Sequence, residues 1–177
     1  MLAKNRIPWL IILLISSTFT GQIIEGFESK LAAIAGMTAC IPMLMGTGGN
    51  SGSQVSTLII RGLALGEVKI KDFFKVLWKE IRVSVMVGVI LGIANVARMF
   101  IVRLATGSDV TNSVILVVSL SVVAVVIVSK TIGCTLPIVA KILKLDPALM
   151  AGPLITTLVD AISLIVYFGF ARAFIPM

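Results

Sequence analysis

The chain has no histidine. Imidazole metal sites and histidine proton relays are therefore excluded. It has two cysteines, Cys40 and Cys134, both in apolar segments and without metal-ligand spacing. They read as packing residues, and no disulfide is expected between them. Charge is scarce as well. Charged residues make up 13% of the chain, against about 25% in an ordinary soluble domain. A phosphate loop of the form Gly-x-x-x-x-Gly-Lys-Ser/Thr is missing, and no low-complexity segment stands out.

What remains is 58% hydrophobic over 177 residues. That composition reads as one integral membrane domain, residues 1–177, of all-α class. The net charge of +7 could point to nucleic acid, but the basic residues flank the hydrophobic runs instead of forming one stripe. They read as topology signals, with the lipid bilayer as partner and no nucleic acid.

Five transmembrane helices are predicted, over about 7–24, 31–65, 83–102, 113–139 and 148–174. The first is too long for a signal peptide and lacks a small-x-small cleavage site. Lys4 and Arg6 precede it. Lys69, Lys71, Lys75 and Lys79 lie between the second and third runs, with Arg82 at the start of the third. Lys141 and Lys144 lie between the fourth and fifth. With five spans these residues share one side, which puts the N-terminus in the cytoplasm and the C-terminus outside the cell membrane. The stretch 67–80 sets Val68, Ile70, Phe73, Phe74, Leu77 and Trp78 among lysines, the pattern of an interfacial helix.

Two segments can carry chemistry. In the second run, 46–54 reads GTGGNSGSQ. Four glycines in seven residues disfavour regular helix, so an unwound stretch lining a wet cavity is expected. Its backbone groups, with Asn50, Ser51, Ser53 and Gln54, can hold a hydrated cation. Tight packing through Gly48 and Gly52, a GxxxG spacing, is the competing use of the same residues. In the fifth run, Asp160 sits mid-span, where a carboxylate costs roughly 2.5–3.5 kcal/mol on insertion scales. Thr156, Asp160, Ser163 and Tyr167 share one helix face, and Gly152-Pro153 weakens the helix before them.

A cost of that size suggests a cation, a proton or a buried partner for Asp160. Lys130 is the candidate ion-pair partner, unless its ammonium snorkels to the cytoplasmic side. Glu25 and Glu28 read as solvated loop carboxylates. Hard oxygen donors without His or Cys suit Mg²⁺ or Ca²⁺ over zinc or copper. One carboxylate per chain is a weak site, and a twofold homodimer would double it. An intramembrane aspartyl protease built on two Asp160 copies, and a non-conducting scaffold with Asp160 paired to Lys130, stay open as alternatives at this point.

The stretch 42–67, PMLMGTGGNSGSQVSTLIIRGLALGE, closely resembles the signature of the MgtE family of magnesium transporters. So does 146–167, DPALMAGPLITTLVDAISLIVY, and so does the opening RIPWLIILLISSTFTG. The resemblance covers essentially the whole chain as that family's five-helix membrane domain. It implies a homodimeric, channel-like transporter and not an enzyme. Mg²⁺ is both its cargo and its pore ligand, and the pore on the dimer axis is lined by the second and fifth helices. The family's pore aspartate falls on Asp160. It binds a largely hydrated Mg²⁺ with help from backbone oxygens around Thr156 and from the polar stretch holding Gly46, Gly49 and Asn50. Family members also pass other divalents to varying degrees, so Mn²⁺, Co²⁺ and Ca²⁺ are expected as further cargo. Typical members carry a cytoplasmic N-terminal domain and paired CBS domains that sense Mg²⁺ and close the pore. This chain starts directly at its first helix, as a piece of a longer protein or a short member regulated otherwise. In the second case, 67–80 is where a separate cytoplasmic regulator would dock.

Overall fold

The computed structural model describes residues 2–32, 34, 36–147 and 152–175. The described residues form five α-helices and one short 3-10 turn. These are α1 (Leu2–Ala32), α2 (Met37–Leu65), the turn Ile70–Asp72, α3 (Phe73–Thr106), α4 (Asn112–Ile142) and α5 (Pro153–Phe174). Four helical stretches are long and apolar enough to cross a membrane: Leu10–Phe27, Ile70–Thr106, Asn112–Ile142 and Pro153–Phe174. The exception is α2, whose polar and glycine residues dilute its apolar content.

The ends of the helices follow local chemistry. Gly66 closes α2 at φ +74 and Gly107 closes α3 at φ +63, both in the left-handed region where a side chain would be strained. Thr111 caps α4 by accepting from the Val114 N–H at 3.4 Å. Pro153 is in the first turn of α5, where its missing N–H has no helical partner to lose.

The first two helices do not divide where the sequence suggested: α1 runs on through Glu25 and Glu28, expected in a loop, to Ala32, and α2, expected from 31, starts at Met37. Two further expectations change here. First, α2 does not unwind at 46–54; it is one continuous helix of 29 residues. The magnitudes explain this. A glycine in a helix interior costs about 1 kcal/mol, whereas each backbone group stripped of its partner in lipid costs several. Second, 67–80 is not a helix of its own. After the 3-10 turn, Phe73 opens α3 and the helix runs through 80 into the third span. Neither proline nor glycine occurs between Gly66 and Gly88 to interrupt it. The fifth span was expected from 148, and its helix begins at Pro153; residues 148–151 lie outside the described set.

The bundle is organised around α4, which packs against α2, α3 and α5; α1 lies against α5 and the edge of α2. Its apolar centre includes Met37, Leu44, Val117, Val118, Tyr167 and Phe168. Lipid supplies no hydrophobic drive between helices, so close approach of small residues has to hold them. A Cβ built on Gly133 of α4 would collide with the Gly52 carbonyl oxygen of α2. A Cβ on Gly88 of α3 would stand 3.1 Å from the Val123 carbonyl oxygen of α4. Replacing Gly133 with Ala should therefore force α2 and α4 apart and destabilise the bundle by about 1–3 kcal/mol. Thermal unfolding in detergent measures it. Gly21→Ala, with nothing within 4 Å of the new methyl, is the substitution that should not lower stability.

Candidate functional site

The site is built where α2 and α5 run antiparallel. Three contacts set that register. Gly48 meets Val159 and Ser163, Gly49 meets Thr156 and Asp160, and Gly52 meets Ile155. A Cβ on Gly48 would lie 2.7 Å from both Ser163 Oγ and Val159 Cγ1, so only a glycine lets α5 come this close. At Gly49 the spacing is looser. A Cβ there would be 3.2 Å from Thr156 Cγ2 and 3.9 Å from Asp160 Oδ1. The α2 main chain thus comes near the carboxylate without a side chain between them.

Asp160 is half-buried. Among the described residues it has no hydrogen-bond or ion-pair partner. No ion pair of 4.0 Å or less joins it to Lys130. Lys130 is 8% exposed. The buried side-chain N and O atoms without partners, among the described residues, are the hydroxyls of Ser56, Ser108 and Ser163. The Lys130 ammonium is not one of them, so it surfaces over a buried stem. The carboxylate is left as a free acceptor at the edge of the α2–α5 contact.

The polar stripe of α5 divides along its length. Thr156 and Asp160 are half-buried, whereas Ser163 and Tyr167 are fully buried. Ser163 packs on Gly48, and the Tyr167 hydroxyl donates to the Met37 carbonyl at 3.0 Å. Those two hold the bundle together. The hydroxyls of Thr156 and Thr157 both donate to the Pro153 carbonyl, at 2.9 and 2.8 Å. They satisfy a carbonyl of the first α5 turn just before the carboxylate.

On α2, Asn50, Ser53, Gln54 and Thr57 line an open groove of about 630 Å³, with Leu58 at its edge. Their spacing of three and four puts them on one face, and Gly46, also exposed, continues it one turn earlier. Thr57 turns its hydroxyl back to the Ser53 carbonyl at 2.9 Å. Of the five residues expected to hold an ion, Asp160, Thr156 and Gly49 meet within the chain. Asn50 and Gly46 lie on the neighbouring exposed face. Thr57 and Thr157 were missed by sequence reasoning. The signal for Thr57 was its place seven residues after Asn50.

An exposed polar face is out of place on this molecule. The other exposed surfaces of the spans carry residues such as Leu14, Ile93 and Ile165. Lipid cannot satisfy the amides of Asn50 and Gln54, so the groove calls for water or another polar surface.

The comparisons bear on which. A family profile described as divalent cation transporter matches residues 41–170. The magnesium transporter MgtE of Thermus thermophilus is 36% identical over 167 residues, covering 94% of this chain and 36% of that protein. MgtE of Bacillus subtilis is 37% identical over 175 residues, covering 98% of this chain and 37% of that protein. MgtE of Enterococcus faecalis is 28% identical over 173 residues. The chain spans a little over one third of the length of these relatives.

A wet groove has a direct readout. In a background with Cys40 and Cys134 replaced by Ala, Gln54→Cys should react with a membrane-impermeant methanethiosulfonate in liposomes. Ile93→Cys, on the exposed apolar face of α3, should not. An unreactive Gln54→Cys would place the groove against lipid or dry protein.

Proposed function

The chain belongs to the MgtE family of divalent cation transporters, and from that premise we propose that it carries hydrated Mg²⁺ passively across the membrane. The ion passes down its electrochemical gradient through a pore on the axis of a homodimer. The observation that carries this reading is the exposed polar face of α2, one residue along from Gly49, which meets the unpartnered Asp160. Two copies related by a twofold axis would turn these faces toward each other and enclose water between them.

Mg²⁺ demands octahedral oxygen ligation and gives up its water reluctantly. Two Asp160 carboxylates facing across an axis supply charge. Thr156, Gly49, Gly46 and Asn50 offer oxygens to the ion or to its bound water. No three carboxylate or thiol groups gather into a ready-made metal cage among the described residues, which suits an ion that keeps its hydration shell. Mn²⁺, Co²⁺ and Ca²⁺ share the hard-oxygen chemistry and are the competing cargo.

Orientation follows from the basic residues. The Lys141 ammonium donates to the Leu63 carbonyl at 3.0 Å, so the C-terminal ends of α2 and α4 lie together. Lys69, Lys71, Lys75, Lys79 and Lys144 flank the same end of the helices. That end is cytoplasmic by the positive-inside rule, with the N-terminus on the same side and the C-terminus outside. A separate cytoplasmic regulator would meet the protein there.

Replacing Asp160 with Ala should lower Mg²⁺ flux into proteoliposomes by at least about tenfold, the effect of losing ~1.4 kcal/mol of ion stabilisation. The helix content of the variant should stay unchanged. Flux equal to that of the unsubstituted protein would overturn the assignment.

A further inference from the structure

The α3 helix is too long for its task as a span. Its 34 residues extend about 51 Å, against a hydrocarbon core of about 30 Å. One face of it shows where the surplus lies. Met86, Ile90, Ile93 and Leu104 fall at spacings that keep them on a single exposed face. From Met86 to Leu104 that face runs about 27 Å, close to the thickness of the core. Continuing the same three-and-four spacing toward the helix N-terminus, the next exposed residues are Arg82, Lys79 and Lys75. The face changes from apolar to basic within one turn.

Trp78, 63% exposed, stands beside these cations on the same side of the helix, in the position of an interfacial aromatic anchor. Lys75 and Lys79 also border a groove of about 470 Å³ whose other walls include Glu67, Asp72 and Glu80. Among the described residues no ion pair of 4.0 Å or less joins them to those carboxylates. No such pair has to break for their ammonium groups to meet another anion. We infer that Lys75, Lys79 and Arg82, with Trp78 as anchor, bind the headgroups of anionic phospholipids where α3 leaves the membrane. The occupant follows from the helix itself. The basic turns continue a lipid-facing surface, so the first anions they meet at the core boundary are headgroup phosphates.

The chain has two tryptophans, so Trp9→Phe leaves Trp78 as the sole reporter. This protein is reconstituted into mixed phosphatidylcholine and phosphatidylglycerol vesicles with bromine on the acyl chains of one lipid or the other, at equal bromine content. Brominated phosphatidylglycerol should quench Trp78 more strongly than brominated phosphatidylcholine. Adding Lys75→Gln, Lys79→Gln and Arg82→Gln should make the two lipids equal, with quenching by fully brominated vesicles unchanged. Each cation removed should weaken the preference by up to roughly fivefold. Raising salt to about 1 M, where the Debye length is about 3 Å, should weaken it without any substitution. Equal quenching in the Trp9→Phe protein, or a preference that survives both the substitutions and the salt, would overturn the proposal. So would no quenching by any brominated lipid, which would leave the helix end in water and open to a soluble protein. None of these readouts depends on ion conduction.

Discussion

The close approach of α2 to α4 at Gly52 and Gly133 is the contact on which the rest of the bundle depends. There, a backbone carbonyl of one helix occupies the space that a side chain would need on the other. In lipid this sort of contact replaces the hydrophobic effect as the source of association. It holds the middle of α2, and two hydrogen bonds hold its ends. Tyr167 on α5 donates to the Met37 carbonyl at the start of the helix, and Lys141 on α4 donates to the Leu63 carbonyl near its finish. A helix fixed at three levels has no freedom to rotate, so the face it turns outward is determined.

That outward face is polar. The same register that buries Gly48 and Gly52 exposes Asn50, Gln54 and Thr57. It also brings Gly49 beside Asp160, with no side chain between the α2 main chain and the carboxylate. The polar residues of α5 are divided by depth between two tasks. Ser163 and Tyr167 pack and bond inside the bundle, and Thr156 and Asp160 stand at its edge. A carboxylate mid-span and an unsatisfied amide face both carry an energetic penalty in a bilayer. Both penalties are relieved together if they border one body of water.

The helical class and the approximate spans could be read from the hydrophobic runs, because apolar length is the strongest constraint a membrane imposes. Helical spacing put Thr156 and Asp160 on one face and polar density marked 46–54, but only the family resemblance joined the two segments. The state of 46–54 could not be read. Helix propensity counts glycines as breakers, while the bundle uses them as contact surfaces. The decisive fact, that Gly52 lies against Gly133, is a relation between residues 81 positions apart. The union of 73–80 with the third span was missed for a different reason. The lysines there looked like the end of one element, although no residue in the sequence breaks the helix. For Lys130 the sequence offered both a pair with Asp160 and a snorkelling ammonium, and no ion pair of 4.0 Å or less joins the two residues.

The central claim is that two Asp160 carboxylates face one hydrated divalent ion between the polar faces of paired α2 helices. Anomalous diffraction from crystals of the protein grown in membrane-mimetic lipid with Mn²⁺ tests it most directly. The account predicts an anomalous peak on a twofold axis between two Asp160 side chains, with room for water around the metal. A dimer whose Asp160 residues face lipid, or a peak bound elsewhere with none between the carboxylates, would contradict it.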